Sequence, residues 1–230
     1  MADRETRPPT VWSRPGRGAR GPAPERSRPQ ITAAALALAD EEGLAAVSMR
    51  ALAQRLGTGP ASLYRYVGSR GELLDLMADA VAGELDLSTP SGDWLDDLVG
   101  LALQSKAAHV RHPWLADLND RRGEVLGPHA IDYLDHALGI LAPAPGTAGQ
   151  KLEAIGLLGG LATLFARREA LAEGPGDPPA RAVRLAAVAA EGRHPHLLAA
   201  LAEAGGPPPA DRDALFVRLV RRVLPAMLAP

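Results

Sequence analysis

The sequence predicts an all-α protein, and three observations support this fold class. Aromatic residues make up 3% of the 230 residues, and Val and Ile are sparse beside Ala and Leu. This composition disfavours sheets and favours helices. Apolar residues recur at helical spacing between Gly and Pro breaks, and no segment shows the alternation of a half-buried strand. We therefore expect helices joined by loops throughout.

Four helices are predicted within residues 29–85, and their starts carry recognisable signals. Ser27 and Gln30 have the spacing of a capping box, as do Ser69 and Glu72. Ser48 is a suitable N-cap, and Pro60 suits a first helical position. The predicted helices are one between Ser27 and Gly43, then Met49–Leu56, Pro60–Tyr66 and Glu72–Leu85.

Seven further helices are predicted in residues 86–230, separated by Gly- and Pro-rich breaks. Thr147 and Gln150 form a third capping-box pattern before a long apolar helix, and Pro225 is expected to kink or fray the last one. The predicted spans are Trp94–Val110, Trp114–Asn119, Ala130–Leu141, residues 150–171, Arg181–Glu191, His196–Ala204 and Arg212–Leu228.

Composition excludes several classes of protein. Hydrophobic residues are 47%, charged residues 23% and the mean hydropathy is -0.04, as in soluble globular proteins. No stretch approaches the roughly 18 apolar residues of a membrane span, so we expect no membrane partner. The absence of cysteine excludes disulfides, thiolate metal sites and cysteine nucleophiles. The first 28 residues lack the apolar core of a signal peptide, so we expect a cytoplasmic location.

The net charge of -2 is unevenly distributed. Residues 1–70 carry eleven Arg against six acidic residues, whereas residues 71–230 carry fourteen Lys and Arg against twenty-one acidic residues. A basic end on an acidic body indicates that one end meets a polyanion.

Residues 1–28 are predicted to form a disordered arm, because Pro and Gly interrupt every helix and few side chains are apolar. Basic arms of DNA-binding domains lie along phosphates or enter the minor groove. A solvated tail without specific function is the alternative. The arm contains seven arginines: Arg4, Arg7, Arg14, Arg17, Arg20, Arg26 and Arg28.

The most informative stretch is Ser48–Val67, where a helix, a tight turn and a short helix form a helix-turn-helix. Ala53 permits close approach of the two helices, and Gly57 can adopt the positive φ that the turn needs. Leu63 and Val67 are expected to face the core. The alternative is a set of packed helical turns in another kind of bundle. Two tyrosines expected to face outward from so short a helix disfavour this alternative, because they are hard to explain as core residues. The side chains left to face outward are Thr58, Ser62, Tyr64, Arg65 and Tyr66.

The segment GLAAVSMRALAQRLGTGPASLYRYVGSRGELLDLMADAV resembles the N-terminal domain of the TetR/AcrR family of bacterial transcriptional repressors. The resemblance covers about residues 29–85 and centres on the pattern LG-x-x-x-x-S-LY-x-Y-V followed by a cationic residue and ELL. HPWLADL at 112–118 and GPHAIDYLDHAL at 127–138 resemble effector domains of the tetracycline-repressor-like branch. The resemblance therefore implies a DNA-binding domain at 29–85 and an effector-binding and dimerisation domain at 86–230.

The resemblance also implies which residues meet DNA. The start of the recognition helix lies nearest the base edges, the two tyrosines meet phosphates, and Arg70 matches a usual phosphate-binding Lys. Two departures leave the operator sequence open: Gly59 stands where a Ser or Thr cap is common, and Thr58 replaces an aliphatic residue. The implied DNA-binding residues are Ser48, Arg50, Thr58, Gly59, Pro60, Ser62, Tyr64, Arg65, Tyr66 and Arg70.

Aromatic and histidine side chains of the body are the predicted lining of a small-molecule pocket, by resemblance and because such pockets are mostly apolar with a few polar groups. Core packing with surface histidines is the alternative. The helical spacings of His109 with His112 and of Asp132 with His136 suit a metal, but no third ligand is identifiable, so we expect no metal site and no cofactor. The predicted lining residues are Trp94, His109, His112, Trp114, His129, Tyr133, His136 and Phe165.

The long helix at 150–171 carries three glycines at its middle, where a close helix–helix contact is a plausible reason for them. By resemblance, this helix and the last helix pair with their copies across a two-fold axis to form a homodimer. The alternative is that both complete the core of one chain. The predicted interface residues are Leu152, Gly156, Gly159, Gly160, Leu215, Phe216, Leu219 and Val223.

The sequence thus predicts a ligand-responsive transcriptional regulator, a repressor that binds a palindromic operator in double-stranded DNA as a homodimer and is released by a small-molecule effector. No catalytic residues and no enzymatic activity are expected, because the chain has no nucleophile elbow, phosphate-binding Gly loop, HExxH motif or clustered carboxylates. Two alternatives remain open: a DNA-binding regulator without an effector, and a helical small-molecule-binding protein or enzyme.

Overall fold

A computed structural model describes residues 11–12, 26–122, 126–172, 178–203 and 211–229. These ranges contain helices and no strand, which confirms the all-α fold class. The helices are α1 (Arg28–Glu42), α2 (Met49–Arg55), α3 (Pro60–Leu63), α4 (Arg70–Ala82), α5 (Trp94–Arg111), α6 (Trp114–Arg122), α7 (Pro128–Ile140), α8 (Ala148–Ala172), α9 (Pro178–Ala190), α10 (Pro195–Glu203) and α11 (Arg212–Leu228). Most of the predicted arm, residues 1–28, lies outside the described residues.

The capping signals predict the helix starts well. Ser27 Oγ accepts the Gln30 N–H at 3.3 Å, and Gln30 Oε1 accepts the Ser27 N–H at 2.8 Å. The same reciprocal pair forms between Thr147 and Gln150. Two of the three predicted capping boxes, at Ser27 and at Thr147, are therefore confirmed.

The third box differs. Ser69 Oγ accepts the Glu72 N–H at 3.0 Å, but the Glu72 carboxylate accepts from Gly68 N–H instead of from Ser69. Because Ser69 is the N-cap, α4 begins at Arg70, two residues before the predicted start.

Helix ends differ more from their predicted positions. The α3 helix ends at Leu63 and residues 64–66 continue as a turn, while α4 ends at Ala82 because Gly83 is its C-cap. The α7 helix begins at Pro128, two residues early, since Gly127 occupies the N-cap and proline fits the first helical position. Gly57 has φ +63°, which confirms the predicted positive φ of the turn.

Two apolar cores organise the chain. The first lies among α1–α4 and includes the fully buried Leu52, Leu63 and Val67, as predicted. It also takes in Trp114 and Leu118 from α6, so its packing extends beyond the predicted boundary at residue 85. We call α1–α4 the head and α5–α11 the body.

The second core lies among α5, α7, α8 and α11. Phe165 and Phe216 meet edge to face there, with ring centroids 5.3 Å apart. Beside them, buried Lys106 of α5 reaches Glu169 of α8 at 2.5 Å and Asp213 of α11 at 2.6 Å. Burial by itself lowers the pKa of Lys106, but the hydrogen bonds to Asp213 and Glu169 outweigh it and raise the pKa. The ammonium therefore stays charged and ties three helices together.

Head and body also meet where α4 passes the start of α7. Asp79 of α4 is buried, and its carboxylate accepts the Ala130 N–H and a hydrogen bond from His129 Nδ1, both at 3.0 Å. This places an anion at the positive N-terminus of α7. Gly127 passes so close that an added Cβ would lie 2.2 Å from Asp79 Oδ1.

We expect Gly127→Ala to destabilise the protein by about 1–3 kcal/mol, because the new methyl group displaces the carboxylate that caps α7. Thermal unfolding measures the change. The matched control is Gly139→Ala within α7, where an added Cβ meets nothing within 4 Å. This control should gain about 0.5–1 kcal/mol from helix propensity. Equal melting temperatures for the two variants would contradict the steric argument.

Candidate functional site

The helix-turn-helix is built by local backbone geometry. Ser48 Oγ caps α2 by accepting the Ala51 N–H at 3.1 Å, and the Thr58 N–H closes the turn onto the Ala53 carbonyl at 2.9 Å. Gly59 is the N-cap of α3 without a side-chain hydrogen bond. The recognition helix therefore begins without a side-chain cap: Pro60 has no N–H, and the Ser62 N–H donates to the Gly59 carbonyl at 3.0 Å.

The implied DNA-binding residues are all exposed or half-buried on the head. Exposed members include Tyr64, whose exposure is 52%, and Arg65, whose guanidinium lies 3.1 Å from Ser62 Oγ. Tyr66 is half-buried against the first core, and its carbonyl accepts from Arg28 Nε at 3.0 Å. The exposed residues are Arg50, Gly59, Pro60, Tyr64, Arg65 and Arg70, and the half-buried ones are Ser48, Thr58, Ser62 and Tyr66.

Arg70 has a structural engagement that the sequence does not reveal. Its Nε donates to the Val47 carbonyl at 2.6 Å and its Nη2 donates to the Leu44 carbonyl at 3.0 Å. The guanidinium thus holds the start of α4 to the connection between α1 and α2. Its implied phosphate contact stays a prediction.

We expect Arg70→Ala to lower the stability of the protein by about 1–2 kcal/mol, since two carbonyl groups lose a charged donor. The matched control is Arg50→Ala, which removes another exposed arginine of the head and should change stability by less than about 0.5 kcal/mol. Chemical denaturation of both variants measures the difference. A loss in the control as large as that in Arg70→Ala would show that the carbonyl contacts are unimportant.

The predicted pocket residues separate into two groups. Phe165 lies in the second core, and Trp94 and Tyr133 pack against it. His109 is buried between α5 and α8: its Nδ1–H donates to the Ser105 carbonyl at 2.9 Å, and its Nε2 lies 3.1 Å from Thr163 Oγ1. Burial lowers the pKa of His109, which favours the neutral ring. The Thr163 hydroxyl also donates to the Gly159 carbonyl at 3.0 Å, so its single hydrogen is shared between that carbonyl and His109 Nε2.

The other group lies where the body meets the head. His112 Nδ1 and Trp114 Nε1 both hydrogen-bond to Asp40 Oδ1 of α1, at 2.7 and 2.6 Å. His129 engages Asp79 of α4. His136 belongs to neither group: it is half-buried on α7, and its charge acts on Asp97 in the first turn of α5. Neither Asp40 nor Asp79 is predictable from the sequence, because an acidic residue on a helix gives no signal of a partner 50 or more residues away.

The cavity beside His109 is small in this conformation. It holds about 40 Å³ between α5, α6 and α8, room for little more than one water molecule. A more open groove of about 450 Å³ lies between the head and α6. Arg70 and Leu74 line one side of this groove, and Asp117 and Leu118 line the other.

The residues predicted for a dimer interface differ in their exposure. Leu152, Gly156 and Gly160 lie on the exposed face of α8, whereas Phe216 of α11 is fully buried in the second core. Gly159 on α8, and Leu215, Leu219 and Val223 on α11, are half-buried. The exposed face of α8 carries further leucines that were not predicted for the interface, so it forms an apolar ridge. We define the α8 ridge as Leu152, Gly156, Leu157, Gly160, Leu164 and Leu171.

Within the described part of the chain, no group of three His, Cys, Asp or Glu residues is arranged to hold a metal ion. No helix among the same residues combines the length and apolar character that a membrane crossing requires.

Comparison with known proteins agrees with this architecture. Residues 31–77 match the family model of bacterial regulatory proteins of the tetR family, and residues 88–228 match that of the tetracyclin repressor-like C-terminal domain. A helix-turn-helix head on an α-helical body of this kind defines a class of bacterial regulators. The chain belongs to the tetR family.

Individual relatives extend the comparison. The transcriptional repressor DrrR1 of Streptomyces coeruleorubidus is 38% identical over 161 residues, which are 69% of this chain and 59% of that protein. A transcriptional regulator of Saccharopolyspora erythraea is 36% identical over 61% of this chain and 59% of its own length. The similarity thus spans less than two thirds of either relative.

The crystal structure of apo ActR from Streptomyces coelicolor superposes with a TM-score of 0.71 at 27% identity, covering 89% of this chain and 99% of that one. ActR in complex with actinorhodin superposes with a TM-score of 0.72 at 28% identity, with the same coverage.

Proposed function

We propose that this protein is a ligand-responsive transcriptional repressor that binds operator DNA through the head. The observation that carries the proposal is the exposed face of α2 and α3 within a tetR-family helix-turn-helix. The polar and cationic residues of this face stand on a rigid, buried core, as a DNA-binding surface requires. The protein would act in the cytoplasm as a binding protein and not as an enzyme.

The geometry supports separate sets of residues for the phosphates and for the bases of DNA. Exposed Arg50 at the start of α2 and the hydroxyl of Tyr66 suit phosphates, which set the register of the head on the duplex. Tyr64 also suits a phosphate, and base contacts fall to Thr58 and Ser62, because Gly59 has no side chain to offer. Sequence preference would then rest on few direct contacts, and DNA shape would carry a larger share of it.

Effector control is supported by ActR, whose structures include complexes with actinorhodin and with (S)-DNPA. We place the effector of this protein in the body, where neutral His109 and the Thr163 hydroxyl are polar groups among apolar side chains of α5 and α8. An effector releases DNA only if it binds the two conformations of the protein with different affinity. A regulator without an effector would bind DNA with the same affinity whichever small molecule is added.

A homodimer is supported by the α8 ridge. Gly156 and Gly160 are four residues apart on one exposed face, and an added Cβ at either would meet nothing within 4 Å. Leucines flank them on both sides, and an exposed apolar face of this kind marks an interaction surface. Pairing of two α8 ridges across a two-fold axis would present two heads to a palindromic operator.

The DNA-binding proposal is tested by selecting bound sequences from a random duplex pool and titrating the selected site at several salt concentrations. We expect Arg50→Ala to weaken binding about five- to tenfold on all sequences and to reduce the salt slope by about one, because one phosphate contact is lost. Arg193→Ala in the exposed turn between α9 and α10 is the control and should leave both quantities unchanged. No enrichment of any sequence by the wild-type protein would overturn the proposal.

The dimer is tested with Leu164→Glu, which places a charge in the middle of the α8 ridge. We expect sedimentation equilibrium to show a shift from dimer to monomer with a dissociation constant at least roughly 100-fold weaker, because a pair of carboxylates would be buried without partners. Leu126→Glu, at an exposed leucine before α7, is the matched control and should remain dimeric. An unaltered dimer in Leu164→Glu would place the interface elsewhere.

A further inference from the structure

Two residues of the arm lie against the folded protein. Val11 is 2% exposed, and Trp12 is half-buried. A Cβ added to Gly127 would lie 2.7 Å from Cζ2 of the Trp12 ring, and it would also collide with the carboxylate of Asp79. The indole ring and this carboxylate therefore crowd the same side of Gly127, which is the N-cap of α7.

The same two residues stand out in the sequence of the arm. Arg, Pro and Gly supply more than half of residues 1–28, and after Met1 the only large apolar side chains there are Val11 and Trp12. A segment of this composition cannot bury an apolar core of its own. An adjacent Val and Trp therefore gain stability by burial against another surface, and Trp brings a large apolar area to such a contact. Composition and burial thus indicate independently that this pair is an anchor.

The surface next to the anchor is the contact of α4 with the start of α7, which we call the α4–α7 joint. Asp79 of α4 is 4% exposed, and its carboxylate accepts the Ala130 N–H and a hydrogen bond from His129. Hydrogen bonds to a carboxylate are stronger where water is excluded, because the local dielectric constant is lower. An indole ring on the same side of Gly127 as the carboxylate keeps water away from it. Removal of this ring would let water compete for Asp79.

We propose that Val11 and Trp12 form an intramolecular anchor, which fastens the arm at the α4–α7 joint and seals the hydrogen bonds of Asp79 from water. The joint thus contains a site for an indole ring, and its occupant is this segment of the same chain. While the anchor is bound, α4 and α7 are held together firmly. When it is released, the two helices separate more readily.

The anchor gives the arm a role in the folded protein that is separate from any contact of its arginines with DNA. It lies at α4, the helix that joins head to body, so its binding restricts the orientations available to the head. This inference requires neither DNA nor effector, so it can fail without affecting the proposed function.

Binding of the anchor is tested by fluorescence quenching in the full-length protein. The chain has no cysteine, so Leu126→Cys, at an exposed leucine next to Gly127, accepts a single bimane label. Tryptophan quenches bimane at close contact, so we expect quenching to be lost when Trp12→Phe is added. A label at Leu198→Cys on α10 is the control and should be equally bright with and without Trp12→Phe. Equal brightness of the label at position 126 in both backgrounds would overturn the proposal.

Sealing of the joint is tested by hydrogen exchange of the Ala130 amide, which donates to Asp79. In Trp12→Ala we expect this amide to exchange about three- to tenfold faster than in the wild type, because water weakens a charge-assisted hydrogen bond. Trp12→Phe keeps an aromatic ring and should remain closer to the wild type. Leu198→Ala removes an exposed leucine of α10 and should leave the rate unchanged.

Amides of α2, which takes no part in the α4–α7 joint, separate sealing from general stability. We expect their exchange rates in Trp12→Ala to equal those of the wild type. An unchanged rate at Ala130 would show that the indole ring does not seal the joint. An equal rise at Ala130 and throughout α2 would show a general loss of stability. Either result would overturn the proposal.

Discussion

The join between head and body depends on hydrogen bonds from the body to carboxylates of the head. Asp79 of α4 caps α7, and Asp40 of α1 accepts from both His112 and Trp114. The carboxylate of Asp79 is withdrawn from water and is stable only while its partners remain, because losing one leaves a poorly solvated charge. The head is therefore held in a defined orientation by a small number of directional contacts, in addition to the apolar packing of α6 against it.

The α4 helix is the element in which these contacts converge. Leu73, Met77 and Val81 bury one side of α4 in the first core, while Asp79 on another side engages α7. A displacement of α7 or of the α5–α6 connection must therefore either move α4 or break a charge-assisted hydrogen bond. Because packed cores have discrete arrangements and do not deform continuously, such a displacement favours a change between two orientations of the head.

What the sequence predicts correctly is what nearby residues determine. The capping boxes at Ser27 and Thr147 and the positive φ of Gly57 depend on neighbours three or four positions away. Helix ends are less well predicted, as the early end of α3 shows, since they depend on where the chain must turn to pack. Of the side chains expected to face outward, Tyr64 and Arg65 are exposed, whereas Thr58, Ser62 and Tyr66 are half-buried, because so short a helix brings its outer residues close to the core.

Partners distant in sequence were not predictable from residue type. His112 and Trp114 have the composition of pocket residues, yet their hydrogen bonds go to Asp40, which lies 72 and 74 positions earlier. Phe216 belongs to an apolar stripe that suits either a dimer interface or a core, and only packing against Phe165 assigns it to the core. The apolar residues around α8 likewise leave open which face stays exposed until α5 and α11 cover the others.

The position of Lys106 suggests how the two ends of the body are mechanically related. Lys106 ties α5 to α8 and to α11 through its two ion pairs, and α8 carries the exposed ridge. At the end of α5, Arg111 and His112 contact Glu84. Lys106 and Arg111 are five residues apart, which is about 7.5 Å along a helix. Since the ion pairs hold α5 at Lys106, a ligand that separates α5 from α8 near His109 would tilt the end of α5 about that point. The tilt would act directly on Asp40 and Glu84, so the same helix would transmit the effector's displacement to the head without disturbing the exposed ridge of α8.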